Sequence, residues 1–253
     1  MMAPAPHERF AGLDYEAFRR MADDPGLSRH ERSGFPDDLR EGAEEAILAD
    51  VEIKLPALSS RRGLLVVDIG CGANPFTDTI IRRCRQNRHT LTLVDSPEVL
   101  AHHHEHDGVR LIPGRFPDIP LLVEQATGSC DIVIAYSVLQ YSFVDGSVHG
   151  FVDAALTLLA PGGRLLLGDL PNASMRRRFL HSAAGHEFHR RYTGRDDLPV
   201  VNWPMLPTGE LDDGVVFGLI ARARDAGFHA WIVPQAATLP MANRREDLLC
   251  ERP

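Results

Sequence analysis

The chain is short of cysteine, of net positive charge and of long apolar runs, and each shortage excludes something. Four cysteines in 253 residues (Cys71, Cys84, Cys130 and Cys250) form no Cys-x-x-Cys pair and no regular spacing. That pattern is not a disulfide framework; it reads as reduced thiols in a cytoplasmic protein. No stretch approaches the ~20 consecutive apolar residues that span a bilayer. The opening MMAPAPHERF lacks the apolar core of a signal peptide. A formal net charge of −8 disfavours a nucleic-acid binder, whose affinity rests on neutralising phosphates. What remains, 44% hydrophobic and 25% charged residues, is the composition of an ordinary soluble globular protein.

The strongest pattern present is LLVVDIGCGAN at residues 64–74. An apolar run ends at Asp68, Gly70 and Gly72 follow with one residue between them, and a helical pattern opens at Phe76 and continues through Ile80 and Ile81 to Cys84. Strand, glycine turn and helix in that order bring a nucleotide against bare backbone at the carboxyl edge of a sheet. A Cβ in the turn would block both the bend and the ligand's approach. Residues 90–94 read as a second strand ending at Asp95, 23 residues beyond Gly72, where an acid can accept hydrogen bonds from ribose hydroxyls. Ser96 and Pro97 then open a helix as N-cap and first helical residue.

Further strands are expected at 109–113, 131–135 and 164–168, the last ending at Asp169, with a helix at 147–159 stopped by Pro161-Gly162-Gly163. Strands alternating with helices at this spacing give an α/β, doubly wound, mostly parallel sheet with helices on both faces. After a helix at 214–226, the runs 228–233 and 247–250 have no helix between them, which implies a terminal antiparallel hairpin. Residues 1–62 are expected to form a helical N-terminal appendage, with helices at 14–21 and from Asp38 to Pro56. Its Arg29 or Arg40 could reach an anionic group if the appendage closes over a ligand. Residues 63–253 form the nucleotide-binding domain, interrupted by an insertion at about 170–213. His102, His103, His104 and His106 read as the exposed end of a helix, and no metal is expected there.

These segments resemble, in order, the motifs of the class I (Rossmann-like) S-adenosylmethionine-dependent methyltransferases. VVDIGCGAN is similar to the first motif, LVDSPEVL to the ribose acid after it, LIPGRF to the turn beside the adenine, and CDIVIAYSVLQY and LLAPGGRLLLGD to the fourth and fifth strands. The dinucleotide pattern GxGxxG is missing, because no glycine follows Gly72 in CGANP. The resemblance implies a seven-stranded sheet and S-adenosyl-L-methionine as cofactor. Asp68, Gly70, Cys71, Gly72 and Asn74 would face its methionine part, and Asp95 with Ser96 its ribose. Gly114, Arg115 and Phe116 would frame the adenine, and Tyr136 and Ser137 would close the near side. Asn74 stands where many members have a third glycine, a substitution tolerable because asparagine accepts unusual φ. Arg115 stands where many carry an acid.

A hydroxyl acceptor needs a general base; the sheet's carboxyl edge offers Asp169 and the insertion offers His181, His186 and His189, of which Asp169, His181 and His189 are the candidates. The insertion is basic: six arginines (176, 177, 178, 190, 191, 195) face one acid, Glu187, between residues 176 and 195. Either this is a solvated helix face, or it is a lid in which Asn172, Arg176, Arg177 and Arg178 clamp an anionic acceptor. The expected function is methyl transfer, to oxygen, on a small anionic or sugar-type acceptor such as a sugar carboxylate, phosphate or nucleotide-sugar. The alternatives are an NAD-dependent oxidoreductase or epimerase, and a non-catalytic protein that binds the cofactor. AYSVLQY also lacks the Asn/Asp-Pro-Pro-aromatic run of DNA amino-methylating enzymes.

Overall fold

Strand β1 (Leu65–Ile69) sits at the middle of the sheet because both its faces are apolar: Val67 and Ile69 point into one core cluster and Val66 into the other. The same alternation recurs in β4 (Cys130–Tyr136), where Val133 and Ala135 oppose Ile132 and Ile134. Strands buried on both faces in this way belong to parallel sheets covered by helices. The computed structural model describes residues 13–203 and 209–253. Its seven strands stand in the order β3-β2-β1-β4-β5-β7-β6, with β2 at Thr90–Asp95, β3 at Val109–Pro113, β5 at Leu159–Pro171, β6 at His229–Pro234 and β7 at Arg245–Glu251. The first five pair in parallel, and β7 is antiparallel to both β5 and β6. The expected antiparallel pair is therefore present, with β7 inserted between β5 and β6.

The helices in chain order are α1 (Tyr15–Ala22), α2 (Glu44–Lys54), α3 (Ala57–Ser60), α4 (Pro75–Gln86), α5 (Pro97–Leu100), α6 (Pro120–Ala126), α7 (Leu139–Asp145), α8 (Val148–Thr157), α9 (Ala173–Leu180), α10 (Ala183–Thr193) and α11 (Asp213–Asp225). One face of the sheet is covered by α6, α8 and α11 through Leu122, Phe151, Val152, Leu219 and Ala223. The other is covered by α2, α3, α4 and α5 through Ile47, Val51, Leu58, Ile80 and Val99. The i, i+4 stripe Ile47, Val51, Leu55 is buried as its spacing predicts.

Several expected elements differ. The helix expected from Asp38 begins at Glu44, because residues 37–39 form a separate 3-10 turn and Gly42 has φ +78°. α6 and α7 were not expected; they are short and lack a full amphipathic repeat. Pro161-Gly162-Gly163 lies inside β5, after the helix has already ended at Thr157. The histidine run is not a helix end, since α5 stops at Leu100.

Lys54, the only lysine in the chain, is buried where α2 meets the carboxyl edge of the sheet. Its ammonium pairs with Asp50 and, at 2.6 Å, with Asp247 at the start of β7. Asp247 Oδ1 in turn accepts from the Asp169 backbone N–H at 2.7 Å and from Gln235 at 3.1 Å. This network ties the N-terminal segment to the edge at which the site lies.

Candidate active site

The turn after β1 is held by β2. Gly70 N–H donates to Val94 O at 2.7 Å, and Gly72 N–H donates to Asp95 Oδ2 at 2.9 Å. Gly70 has φ +68°, and a Cβ there would lie 2.6 Å from Val138 Cγ2. Glycine is needed at that position for conformation and for space alike. Asn74 corrects the expectation of unusual backbone: its φ is −93°, and it is the N-cap of α4, accepting from Thr77 N–H. A third glycine is unnecessary because the helix starts here on an ordinary cap.

Asp68 and Asp95 face each other across this turn. Burial, and then the charge of Asp95, push the Asp68 carboxyl up to about 7. Burial raises Asp95 to about 6, against the pull of the Gly72 and Ser96 N–H groups that it accepts. The Cys71 thiol is pushed up by burial and by both acids, so it is no nucleophile. Ser96 caps α5 through Val99 N–H rather than lining the cleft. His103, buried, holds Gly72 O at 2.8 Å through Nε2, and His102 holds Ala22 O at 2.9 Å. These two histidines thus brace the glycine turn and α1.

A cleft opens in front of the turn, lined by Gly70, Gly72, Asp95, Gly114, Arg115, Phe116, Tyr136 and Ser137. Phe116 is fixed edge-on against Phe151 at 4.9 Å. The sequence reading missed the opposite wall: Tyr15 and Phe18 of α1, Ser33, Phe35 and Tyr141. Phe18 and Tyr141 meet edge-on at 4.5 Å. Ser33, Phe35 and Tyr141 lie in a turn-rich segment and a short helix, where no periodicity marks them, and the helix pattern over Tyr15 and Phe18 does not say what that helix faces. A smaller recess continues from the cleft past Asp68 and Cys71 to His30, Arg40 and Glu44. Ser33 Oγ and Arg40 Nε are buried there without a hydrogen-bond partner.

Asp169 is 1% exposed and fully engaged. It accepts from Arg40 and Ser137, from Arg245 Nη1 at 2.7 Å and from Gln235 Nε2 at 3.2 Å. Burial pushes its carboxyl up, but Arg245 and Arg40 outweigh that and hold it below the usual range. A carboxylate so saturated is a poor proton acceptor, which corrects its expected role as base. Ser137 and Asp169 both carry left-handed φ, +61° and +59°, so this junction of β4 and β5 is strained for residues with a Cβ.

The insertion differs most from expectation. Arg178 pairs with Asp213 at 2.6 Å, Arg176 reaches Glu210 at 3.4 Å, and Arg190 pairs with Glu187 at 2.6 Å. Arg177 donates to Trp203 O at 3.4 Å. Acids from beyond residue 195 cancel a charge that looked unopposed along the sequence. Asn172 is structural: its Oδ1 caps α9, and its Nδ2 donates to Asp213 and Glu246 at 2.8 and 2.6 Å. His181 packs edge-on to Trp203 at 5.6 Å, and His189 lies 3.3 Å from Asp197. Neither lines the cleft. A second cavity, of about 370 Å³, lies beyond Phe35 and Tyr141 and is lined by Gln140, Arg176, Glu210, Leu211, Arg244 and Arg245.

Residues 67–167, which span the glycine turn, Asp95 and the strained end of β4, match the family model described as a methyltransferase domain. The chain carries a methyltransferase domain. No curated protein sequence matches it. Among solved structures, this methyltransferase is similar to 1,6-didemethyltoxoflavin-N1-methyltransferase of Burkholderia thailandensis, with bound 1,6-didemethyltoxoflavin and S-adenosylhomocysteine, at 18% identity over 100% of this chain and 92% of that one (TM-score 0.53). It is also similar to the N-methyltransferase NodS of Bradyrhizobium japonicum in complex with S-adenosylhomocysteine, at 16% identity over 94% and 98% of the two chains (TM-score 0.51). The CurJ carbon methyltransferase aligns at 13% identity over 97% of this chain and 67% of its own (TM-score 0.55). At such identities the likeness concerns the fold, and the acceptor atoms in those names, nitrogen and carbon, belong to those proteins. S-adenosylmethionine is the methyltransferase's cofactor, and the site fits it on two counts. The Gly70–Gly72 backbone forms a cradle that a Cβ would fill, and two buried donors, Ser33 Oγ and Arg40 Nε, await an acceptor. No helix of the described residues is long and apolar enough to cross a membrane.

Proposed function

We propose that this methyltransferase acts on an oxygen of a small anionic or sugar-type acceptor seated beside the carboxyl ends of β4 and β5. The observation that carries the reading is the continuity of the edge. The cradle between Asp68 and Asp95 opens into a cleft walled by Ser137 and Tyr141, and Tyr141 also walls the arginine-lined cavity beyond. In this reading Asp68 and Glu44 face the cofactor's ammonium group, while Ser33 Oγ and Arg40 Nε face its carboxylate. The lone pairs that Asp95 does not spend on Gly72 and Ser96 accept from the ribose. Gly114, Arg115 and Phe116 frame the adenine through backbone and ring contact, with no acid at position 115. Of the N-terminal appendage expected at 1–62, residues 13–62 cover the site, and the described residues from 63 to 253 form the catalytic domain; residues 1–12 lie outside the described residues.

When bound, S-adenosylmethionine would supply an electrophilic methyl group. The protein's share is to align the acceptor and exclude water. Tyr136 and Ser137 close the near side, and the Asp169 network fixes Ser137, Arg40 and Arg245 in place. A carboxylate or phosphate oxygen needs no base; Glu210, a carboxylate lining the cavity, is engaged by Arg176.

The test is thermal unfolding with S-adenosylhomocysteine against NAD. At a hundredfold excess over Kd, binding adds about 2.7 kcal/mol, which raises Tm by roughly 5–10 °C in a chain of this size. NAD at the same concentration leaves Tm unchanged. A shift with NAD alone, or with neither, overturns the reading.

A further inference from the structure

Arg244 lies between Met241 and β7 and stands apart from the other arginines at the carboxyl edge. Arg245 is matched by buried Asp169, and Arg176 by Glu210 at the rim of the same cavity. Among the described residues Arg244 pairs with no carboxylate; its Nη1 donates to the amide oxygen of Asn243 at 3.2 Å. Its backbone is pinned, since the N–H donates to Met241 O at 2.9 Å and the carbonyl accepts from Asn172 N–H at 3.0 Å. Its guanidinium lies 5.0 Å from the centre of the Phe188 ring on α10, and Phe188 is itself stacked on Tyr192. The insertion's aromatic face, rather than its arginines, therefore positions this guanidinium. Burial and the neighbouring charges of Arg245 and Arg176 depress the Arg244 pKa, as expected where positive charge exceeds what the local acids cancel.

The opposite wall carries the complementary group. Gln140 Nε2 donates to Ser137 O at 2.8 Å, which fixes the amide, while its Oε1 is buried with no donor. An orphaned buried acceptor costs free energy unless a ligand supplies the missing hydrogen. The cavity between these walls, about 370 Å³, falls within the roughly 300–1,000 Å³ typical of small-molecule sites.

We infer that this cavity is the methyl-acceptor site and takes a small molecule with two polar ends. A carboxylate or phosphate is gripped by Arg244, and a hydroxyl donates to Gln140 Oε1. Planar guanidinium suits either anion through paired N–H groups. The Gln140 end lies beside Ser137 and Tyr141, the side that adjoins the cofactor cleft, and the anion end lies away from it. This inference rests on the proposed acceptor position. It names the chemistry that the acceptor must carry and assigns Arg244, which no motif marked.

The test uses the full chain and two matched pairs of probes, 4-hydroxybenzoate against 4-hydroxybenzamide and glucose 6-phosphate against glucose. Calorimetry is run with and without saturating S-adenosylhomocysteine, so that a failure of cofactor binding is separated from a failure of anion recognition. In at least one pair the anionic member binds about tenfold or more tightly than its neutral partner, and the responding pair tells carboxylate from phosphate. Arg244→Gln removes that preference while the affinity for S-adenosylhomocysteine and the melting temperature stay as in the wild type. Arg244→Lys keeps part of the preference. Gln140→Leu weakens 4-hydroxybenzoate about tenfold but leaves benzoate, which lacks the donor, unaffected. Equal affinity within both pairs, or a preference that survives Arg244→Gln, overturns the inference.

Discussion

Cofactor affinity should fall steeply on mild acidification, because two carboxyls in the cradle hold their protons to unusually high pH. Asp68 is raised to about 7 and Asp95 to about 6. A cationic amino-acid group beside Asp68 favours the ionised form, so binding below pH 7 must first expel a proton. If only the ionised forms bind, lowering the pH from 8 to 5.5 weakens binding about thirtyfold through Asp68 and about fourfold through Asp95, roughly a hundredfold together. The sign for folding is opposite. Between the unfolded value of 3.8 and about 7 the folded, unliganded chain binds more protons than the unfolded one, so the contribution of these carboxyls to stability decreases as pH rises. Calorimetric titration of S-adenosylhomocysteine from pH 5.5 to 8.5, with unfolding curves at each pH, reads both trends. Asp68→Asn should leave only the fourfold component. An affinity that stays within twofold across the range, or a slope that stays near a hundredfold in Asp68→Asn, refutes the placement of a cation against Asp68.

Gly70→Ala places a Cβ 2.6 Å from Val138 Cγ2 at φ +68°. Binding of S-adenosylhomocysteine should fall more than a hundredfold, while the strained conformation costs about 1–2 kcal/mol of stability in urea unfolding; normal affinity would mean that the turn is not the cradle. Lys54→Ala strands Asp50 and Asp247 in the interior, and removing one partner of a buried ion pair costs about 3–5 kcal/mol. The expected fall in Tm is roughly 6–20 °C, and a loss below 1 kcal/mol would show that the pair does not hold α2 to the sheet.

What could be read from the sequence was whatever is written locally. The apolar β1 run, the two glycines, Asp95 with its Ser96-Pro97 helix start and the unconnected final strands each carry their reason within about ten residues. The physics that forms them is short-range: period-two burial, a positive φ, a cap. The far wall of the cleft was not written that way. Ser33, Phe35 and Tyr141 belong to turns and short helices with no repeat, and they meet only because α2, inserted into the core by Ile47 and Val51, returns the chain across the carboxyl edge.

Charge shows the same limit more sharply. Counting along residues 176–195 made the insertion look like an anion clamp. In space Glu210 and Asp213 meet Arg176 and Arg178, and Asp169, which looked like a free base at a strand end, is the counter-ion of Arg40 and Arg245. A Coulomb partner three ångströms away outweighs several like charges along the chain. An informative cation at this edge is one that folding leaves uncancelled, and no spacing rule could single out Arg244 from the Arg244-Arg245 pair. Only β7, by entering between β5 and β6, delivers Arg245 to Asp169 and leaves its neighbour facing the cavity. The strand that completes the sheet thereby also sets the charge of the pocket beside it.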